Sequence, residues 1–188
     1  SVKTNPGVNN PDIVEPIGQV DERVSVVRFD REGRNSFVLV NYGVHADTIG
    51  GDYFSADFPH WLRKTLKLSL DGAECIFIPG AQGDVGSTNV YPKDGDMNDT
   101  EISFDNEMKS PGMARFVGRA LAGAVLQVYD KVQYTDVDEL RVLRKTVEIP
   151  TNMPSPADMP RAKKYKQLHD EGKDDLIPYT AMELTMVV

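Results

Sequence analysis

Apolar residues occur along this chain in short blocks, and the order of the blocks predicts an α/β fold. Two blocks are apolar at nearly every position, residues 36–44 and 74–79, which is typical of buried strands covered on both faces. A further strand is predicted at 24–29, joined to the first block by a hairpin turn at 31–35. We expect a mixed β-sheet flanked by α-helices.

Helical spacing marks the segment between the two apolar blocks. Leu62, Leu66 and Leu70 repeat every four residues, and Asp57 ahead of them can cap a helix. A second, longer helix, rich in small residues, is predicted at 108–132. The order of strand, helix and strand places the ends of both apolar strands at the same edge of the sheet.

The length of 188 residues favours a single domain over residues 1–188. Residues 1–20 are rich in Asn, Pro and Gly and form a loop-rich N-terminal segment. Alternating residues at 139–149 predict another strand. Residues 150–188 form a helical C-terminal segment, with a charged helix at about 162–171.

Charge and composition exclude several classes of function. The net charge is −8 and the isoelectric point is about 4.9, so we expect no binding to a nucleic-acid backbone, which needs clustered basic residues. No apolar run is long enough to form a transmembrane segment. Cys75 is the single cysteine and is interpreted as a core residue.

His45 directly follows the first apolar block, at the carboxyl end of a predicted strand. Neutral imidazole is a common metal ligand, and a strand end fixes its direction. No second ligand stands at a recognisable spacing from it. From the residues alone His45 is therefore either a metal ligand or a hydrogen-bonded histidine at the edge of the sheet.

The loop 80–87 follows the second apolar block and carries glycines at positions 80, 83 and 86. Such glycines let the backbone approach a ligand and present N–H groups to it. Asp84 can serve as a base or hold a histidine in place, and Ser87 is a candidate nucleophile if a base lies near it. The loop can equally be a tight turn. It matches neither a P-loop nor a dinucleotide-binding fingerprint.

Several motifs, taken in order, resemble the N-terminal catalytic domain of the neutral/alkaline non-lysosomal ceramidase family, above all its bacterial members of unestablished substrate. The resemblance covers about residues 1–130. The motifs are Asn5-Pro6-Gly7, Asn9-Asn10-Pro11-Asp12, Val20-Asp21, Val40-Asn41-Tyr42-Gly43-Val44-His45, Ser55-Ala56-Asp57-Phe58-Pro59 and Gly80-Ala81-Gln82-Gly83-Asp84.

The resemblance implies a zinc-dependent amidase whose metal is held by two histidines, a glutamate and a tyrosine. His45 matches the second zinc histidine. The other three ligands are expected before Ser1 and after Val188, so the chain would be a fragment with an incomplete site and would be inactive alone. The first residue is not Met and the chain ends in an apolar run, which also leads us to expect a fragment. Family members are often exported, which implies a secreted or periplasmic protein.

The resemblance also assigns the loop after the second apolar block. Asp84 and Ser87 become catalytic candidates, and Gln82, Gly83 and Gly86 become substrate-binding candidates. The substrate would be a small-molecule or lipid amide.

One position in this loop departs from the family pattern. Ceramidases proper carry a serine directly before a proline, whereas this chain has Gly86 in place of the serine and Thr88 in place of the proline. The departure puts ceramide itself in question. It also leaves open a non-catalytic ligand-binding module on the same scaffold, or a zinc-independent hydrolase with Ser87 as nucleophile.

Overall fold

The computed structural model separates into two compact units, residues 1–135 and 136–188, and each is described here by itself. The residues it describes are 6–16, 18–97, 108–137, 139, 141–150, 155–178 and 184–185. The first unit contains three strands and two α-helices: β1 (Ser25–Arg31), β2 (Arg34–Tyr42), α1 (Asp57–Ser69), β3 (Glu74–Pro79) and α2 (Pro111–Tyr129).

The three strands form one mixed sheet in the order β1-β2-β3. β1 pairs antiparallel with β2 through a hairpin whose turn contains Gly33 at φ +64°, a left-handed conformation that glycine adopts without strain. β2 pairs parallel with β3, and α1 makes the connection between them. Both the α/β class and the mixed sheet predicted from the sequence are confirmed.

Helices α1 and α2 pack on one face of the sheet and form the core with it. The sheet contributes Val38, Val40 and Cys75, and α1 contributes Phe58, Leu62 and Leu66. From α2 the core takes Leu121, Ala122, Val125 and Tyr129. Burial of these side chains is the main favourable term, worth about 1.5–3 kcal/mol for each large aliphatic or aromatic residue.

The opposite face of the sheet is apolar and partly exposed. Val27, Phe29, Ile76 and Ile78 lie on it with 40–50% of their surface accessible, and Phe29 stacks on Phe37 at 4.4 Å between ring centroids. Neither α1 nor α2 covers this face. The prediction that both faces of the 36–44 strand are covered is therefore wrong here, because both helices lie on one side.

The second unit contains α3 (Met159–Asp170) and a short 3₁₀ turn at Asp174–Leu176. The strand predicted at 139–149 is wrong in the part of this segment that is described. Its backbone pairs with no other strand there, and Val142 and Leu143 are 87% and 92% exposed. Alternation of apolar residues alone does not make a strand, since the backbone groups need a pairing partner. Most of residues 178–188 lie outside the described residues.

Among the residues that the structure describes, no helix combines the length and the hydrophobicity needed to cross a membrane. The longest is α2, with 19 residues. It carries Arg115 and Arg119, and glycine or alanine at many of its other positions.

Candidate functional site

The candidate site lies where β2 and β3 end, because parallel strands finish at the same edge of a sheet. The ends of the two strands are hydrogen-bonded to each other: Gly80 N–H, just after β3, donates to the carbonyl of Tyr42 (3.0 Å), and Asn41 Nδ2 donates to the carbonyl of Ile78 (2.9 Å). The structure thus brings His45 and the 80–87 loop together, as the order of elements predicts.

The backbone and the ring of His45 both bind this loop. Its N–H donates to the carbonyl of Val85 (2.8 Å), and its Nδ1 lies 3.1 Å from the carbonyl oxygen of Gln82. Because a carbonyl only accepts, Nδ1 carries the proton of this hydrogen bond. In the neutral ring Nε2 then holds the lone pair, which is the arrangement found in histidines that bind metals. The residue is exposed.

Of the loop residues, Gln82 contacts His45 in a way that the sequence did not indicate. The sequence suggested Asp84 as the group that holds a histidine. Instead the main-chain carbonyl of Gln82 does so, and Asp84 is exposed with no hydrogen bond to any described residue. A carbonyl carries no side-chain signature, so no motif could have identified it.

The side chain of Gln82 is notable in its own right. Its Oε1 is buried and accepts no hydrogen bond from the described residues. A buried acceptor without a donor costs free energy, about 1–3 kcal/mol. The atom therefore gains if a ligand brings an N–H or O–H donor to it.

The remaining predicted residues lie on the same loop. A Cβ on Gly83 would meet nothing within 4 Å, and one on Gly86 would meet only Thr88 N at 3.9 Å. Both glycines therefore border open space, where a ligand can approach the backbone. Ser87 is half-buried, and within the described part of the chain no base hydrogen-bonds to it.

The segment after His45 is fixed by buried hydrogen bonds. The Asp57 carboxylate accepts from Thr48 N (2.9 Å), Thr48 Oγ1 (2.5 Å) and Ile49 N (3.1 Å). It also accepts from Phe58 N (2.7 Å). The prediction that Asp57 caps α1 is nevertheless wrong: Asp57 is the first residue of the helix, the N-cap position is Ala56, and no side chain makes the capping hydrogen bond to the second or third residue of the helix. Ser110 N–H, at the start of α2, donates to the carbonyl of Thr48 (2.8 Å). The site thus rests on the amino ends of both helices.

A pocket of about 510 Å³ opens beside His45, between α1 and β3. His45 and Gln82 line it together with Pro59 and Arg63 of α1 and the β3 strand from Cys75. Burial raises the pKa of the Cys75 thiol to about 11, although the charge of Arg63 acts in the opposite direction. The thiol is thus protonated at neutral pH and serves as part of the wall.

The described residues supply one suitable metal ligand at this point. They contain no group of three or more His, Cys, Asp or Glu side chains placed to share a metal ion. A catalytic zinc site uses three protein ligands, and the described residues do not bring three such side chains together.

Comparison of the chain with protein-family models, with curated proteins and with solved structures finds no match in any of the three.

Proposed function

We propose that this chain is part of a zinc-dependent hydrolase that cleaves an amide bond, with His45 as a zinc ligand. The observation that carries the proposal is the hydrogen bond from His45 Nδ1 to the Gln82 carbonyl, which leaves Nε2 available beside a pocket. The ordered motifs shared with the neutral/alkaline ceramidases support the same reaction. In the motif Val40–His45 the histidine follows an apolar run, and in the structure His45 follows the end of β2 at Tyr42.

Zinc, when bound, would acidify a water molecule and polarise the substrate carbonyl. The chain's own residues would orient the reactants. Gln82 fixes the His45 ring through its carbonyl, and its unpartnered Oε1 would accept the N–H of the substrate amide. The open backbone at Gly83 and Gly86 would face the substrate. Asp84, exposed on the same loop, would take up or return a proton.

The remaining zinc ligands would come from residues outside the described ones, as the resemblance implies. A site with one ligand holds zinc weakly, because affinity depends on several ligands placed together. Taken alone, the 188-residue chain would therefore be inactive, and the metal would load only where the other ligands are present.

The test is zinc content in the natural protein that carries this sequence. Metal per chain is measured by mass spectrometry for the wild type, for His45→Ala and for the matched control His60→Ala, whose ring contacts Trp61 edge-on. We expect His45→Ala to lose the zinc and the control to keep it. Unchanged zinc in His45→Ala would refute the ligand assignment.

The alternative is a non-catalytic ligand-binding module on the same scaffold, favoured by Gly86 where ceramidases carry serine. Such a module would bind ligands in the pocket but hydrolyse no amide in the zinc-loaded protein. Hydrolysis that survives chelation of zinc and is lost in Ser87→Ala would instead indicate a serine hydrolase. Amide hydrolysis that disappears on chelation and returns with added zinc supports the proposal over both.

A further inference from the structure

Among the described residues that line the pocket, Arg63 carries the one formal charge. Within the described residues it forms no ion pair, and its Nε donates only to the carbonyl of Pro59, one turn back on α1 (3.3 Å). A guanidinium binds carboxylates through two parallel hydrogen bonds. The positive charge of this pocket is therefore free to pair with an acidic ligand.

The pocket has two chemically different ends. Arg63 of α1 lines the pocket together with Cys75, at the start of β3. His45 and Gln82 follow the carboxyl ends of the strands, beyond Pro79. Cys75 and Pro79 are four residue steps apart along the strand, which corresponds to about 13 Å.

The wall between these ends is apolar. Phe77, which lies on the helix-covered face of β3 and contacts Phe58 of α1, contributes to it, and its ring offers no charge to a ligand. The pocket thus presents a cation at one end, an apolar middle, and an unpartnered acceptor beside an imidazole at the other end.

We propose that the pocket takes an amide whose far end is a carboxylate, joined by a short apolar chain. The carboxylate binds Arg63, the chain lies on Phe77, and the amide N–H donates to Gln82 Oε1. The position of the amide end rests on the proposed function, whereas the acidic end rests on Arg63 alone.

The probe is ε-acetamidocaproate, an amide with an apolar chain and a terminal carboxylate, and its methyl ester is the neutral control ligand. Binding to the 188-residue chain is followed by amide chemical shifts in NMR. We expect the dissociation constant to rise about tenfold or more in Arg63→Gln, which loses a charge-assisted hydrogen bond. We expect the same weakening when the wild type binds the ester.

Arg34→Gln is the matched variant, because it removes the same charge from an exposed position outside the pocket. Unchanged affinity in this variant supports the assignment to Arg63. Equal binding of acid and ester, equal binding by Arg63→Gln, or no binding by the wild type would overturn the proposal. The zinc measurement tests the proposed function separately. If the natural protein contained no zinc but the probe still bound in an Arg63-dependent way, the zinc hydrolase would be refuted and the acidic-ligand site would still be supported.

Discussion

Gly43 and Gly80 pass each other just beyond the ends of β2 and β3, with almost no space between their backbones. A Cβ on Gly80 would lie 3.2 Å from both the Cα and the nitrogen of Gly43, and one on Gly43 would lie 2.9 Å from the carbonyl oxygen of Ala81. This crossing sets His45, two residues after Gly43, beside Gln82, two residues after Gly80. The glycines therefore determine the geometry of the candidate site.

Replacing Gly43 with alanine should destabilise the first unit, because the obstructing atoms belong to the backbone and must move together. Overpacking of this kind costs about 1–3 kcal/mol. Gly83→Ala is the control, since its Cβ would meet open space. Urea denaturation followed by circular dichroism should show a lower midpoint for Gly43→Ala than for Gly83→Ala, and equal midpoints would contradict the close crossing.

Two glycines of α2 should respond in opposite directions to the same substitution. A Cβ on Gly118 would lie 2.5 Å from Phe58 O and from Trp61 Cβ, so Gly118→Ala should force α1 and α2 apart at a cost of about 1–3 kcal/mol. A Cβ on Gly123 would meet nothing within 4 Å, and Gly123→Ala should stabilise the helix by about 0.5–1 kcal/mol. Thermal unfolding of both variants tests the contrast, which fails if Gly123→Ala melts no later than Gly118→Ala.

The fold of the first unit could be predicted because its signals are local. Continuous apolar blocks and helical spacing located β2, β3 and α1, and the bounds of β3 agree at both ends with the predicted 74–79. The small residues of α2 are visible in the sequence, but the sequence does not indicate that α1, and not the sheet, packs against Gly118. Which element meets a given small residue depends on tertiary packing, and periodicity does not encode it.

The location of the candidate site could be predicted from the sequence, but the hydrogen bonds within it could not. His45 and the 80–87 loop could be located as the residues that follow two adjacent strand ends. The Gln82 carbonyl and the orphaned Gln82 Oε1 could not, since both depend on the path of the loop. The role of Arg63 could not be predicted either, because a single arginine on an amphipathic helix is typical of a solvated surface and its neighbours in the fold are not encoded locally.

Asp57 should be the most sensitive carboxylate near the site. Its replacement by alanine leaves buried Thr48 and the start of α1 without their acceptor, and each unsatisfied buried donor costs about 1–3 kcal/mol. Asp47 on the same segment is the control, since its carboxylate is half exposed and makes one ion pair, with Lys109 at 3.0 Å, whereas the Asp57 carboxylate is buried and accepts four hydrogen bonds. Urea denaturation should give a much larger loss for Asp57→Ala than for Asp47→Ala, and similar losses would contradict the anchoring role.

Asp30 should make stability depend on pH at the acidic end. Hydrogen bonds from Ser36, Arg28 and Tyr134 lower its pKa from 3.8 to about 2. Because the folded state depresses this pKa, the ionised carboxylate stabilises the fold above pH 3.8, and the contribution disappears as the pH falls towards 2. In Asp30→Asn the free energy of unfolding should be lower at pH 7 and should fall less steeply between pH 4 and pH 2, as measured by urea denaturation at each pH.

Asp21 is the matched control for this effect, since its pKa is also about 2 but its partner is Arg23, two residues along the chain. A pair so close in sequence can also form in the unfolded chain. It then lowers the pKa of Asp21 in the folded and the unfolded state alike, and so contributes little to the pH dependence of unfolding. Asp30 instead joins β1 to β2 and to Tyr134, 104 residues away, and these contacts are lost on unfolding. If Asp21→Asn flattened the acid profile as much as Asp30→Asn, the tertiary origin of the effect would be wrong.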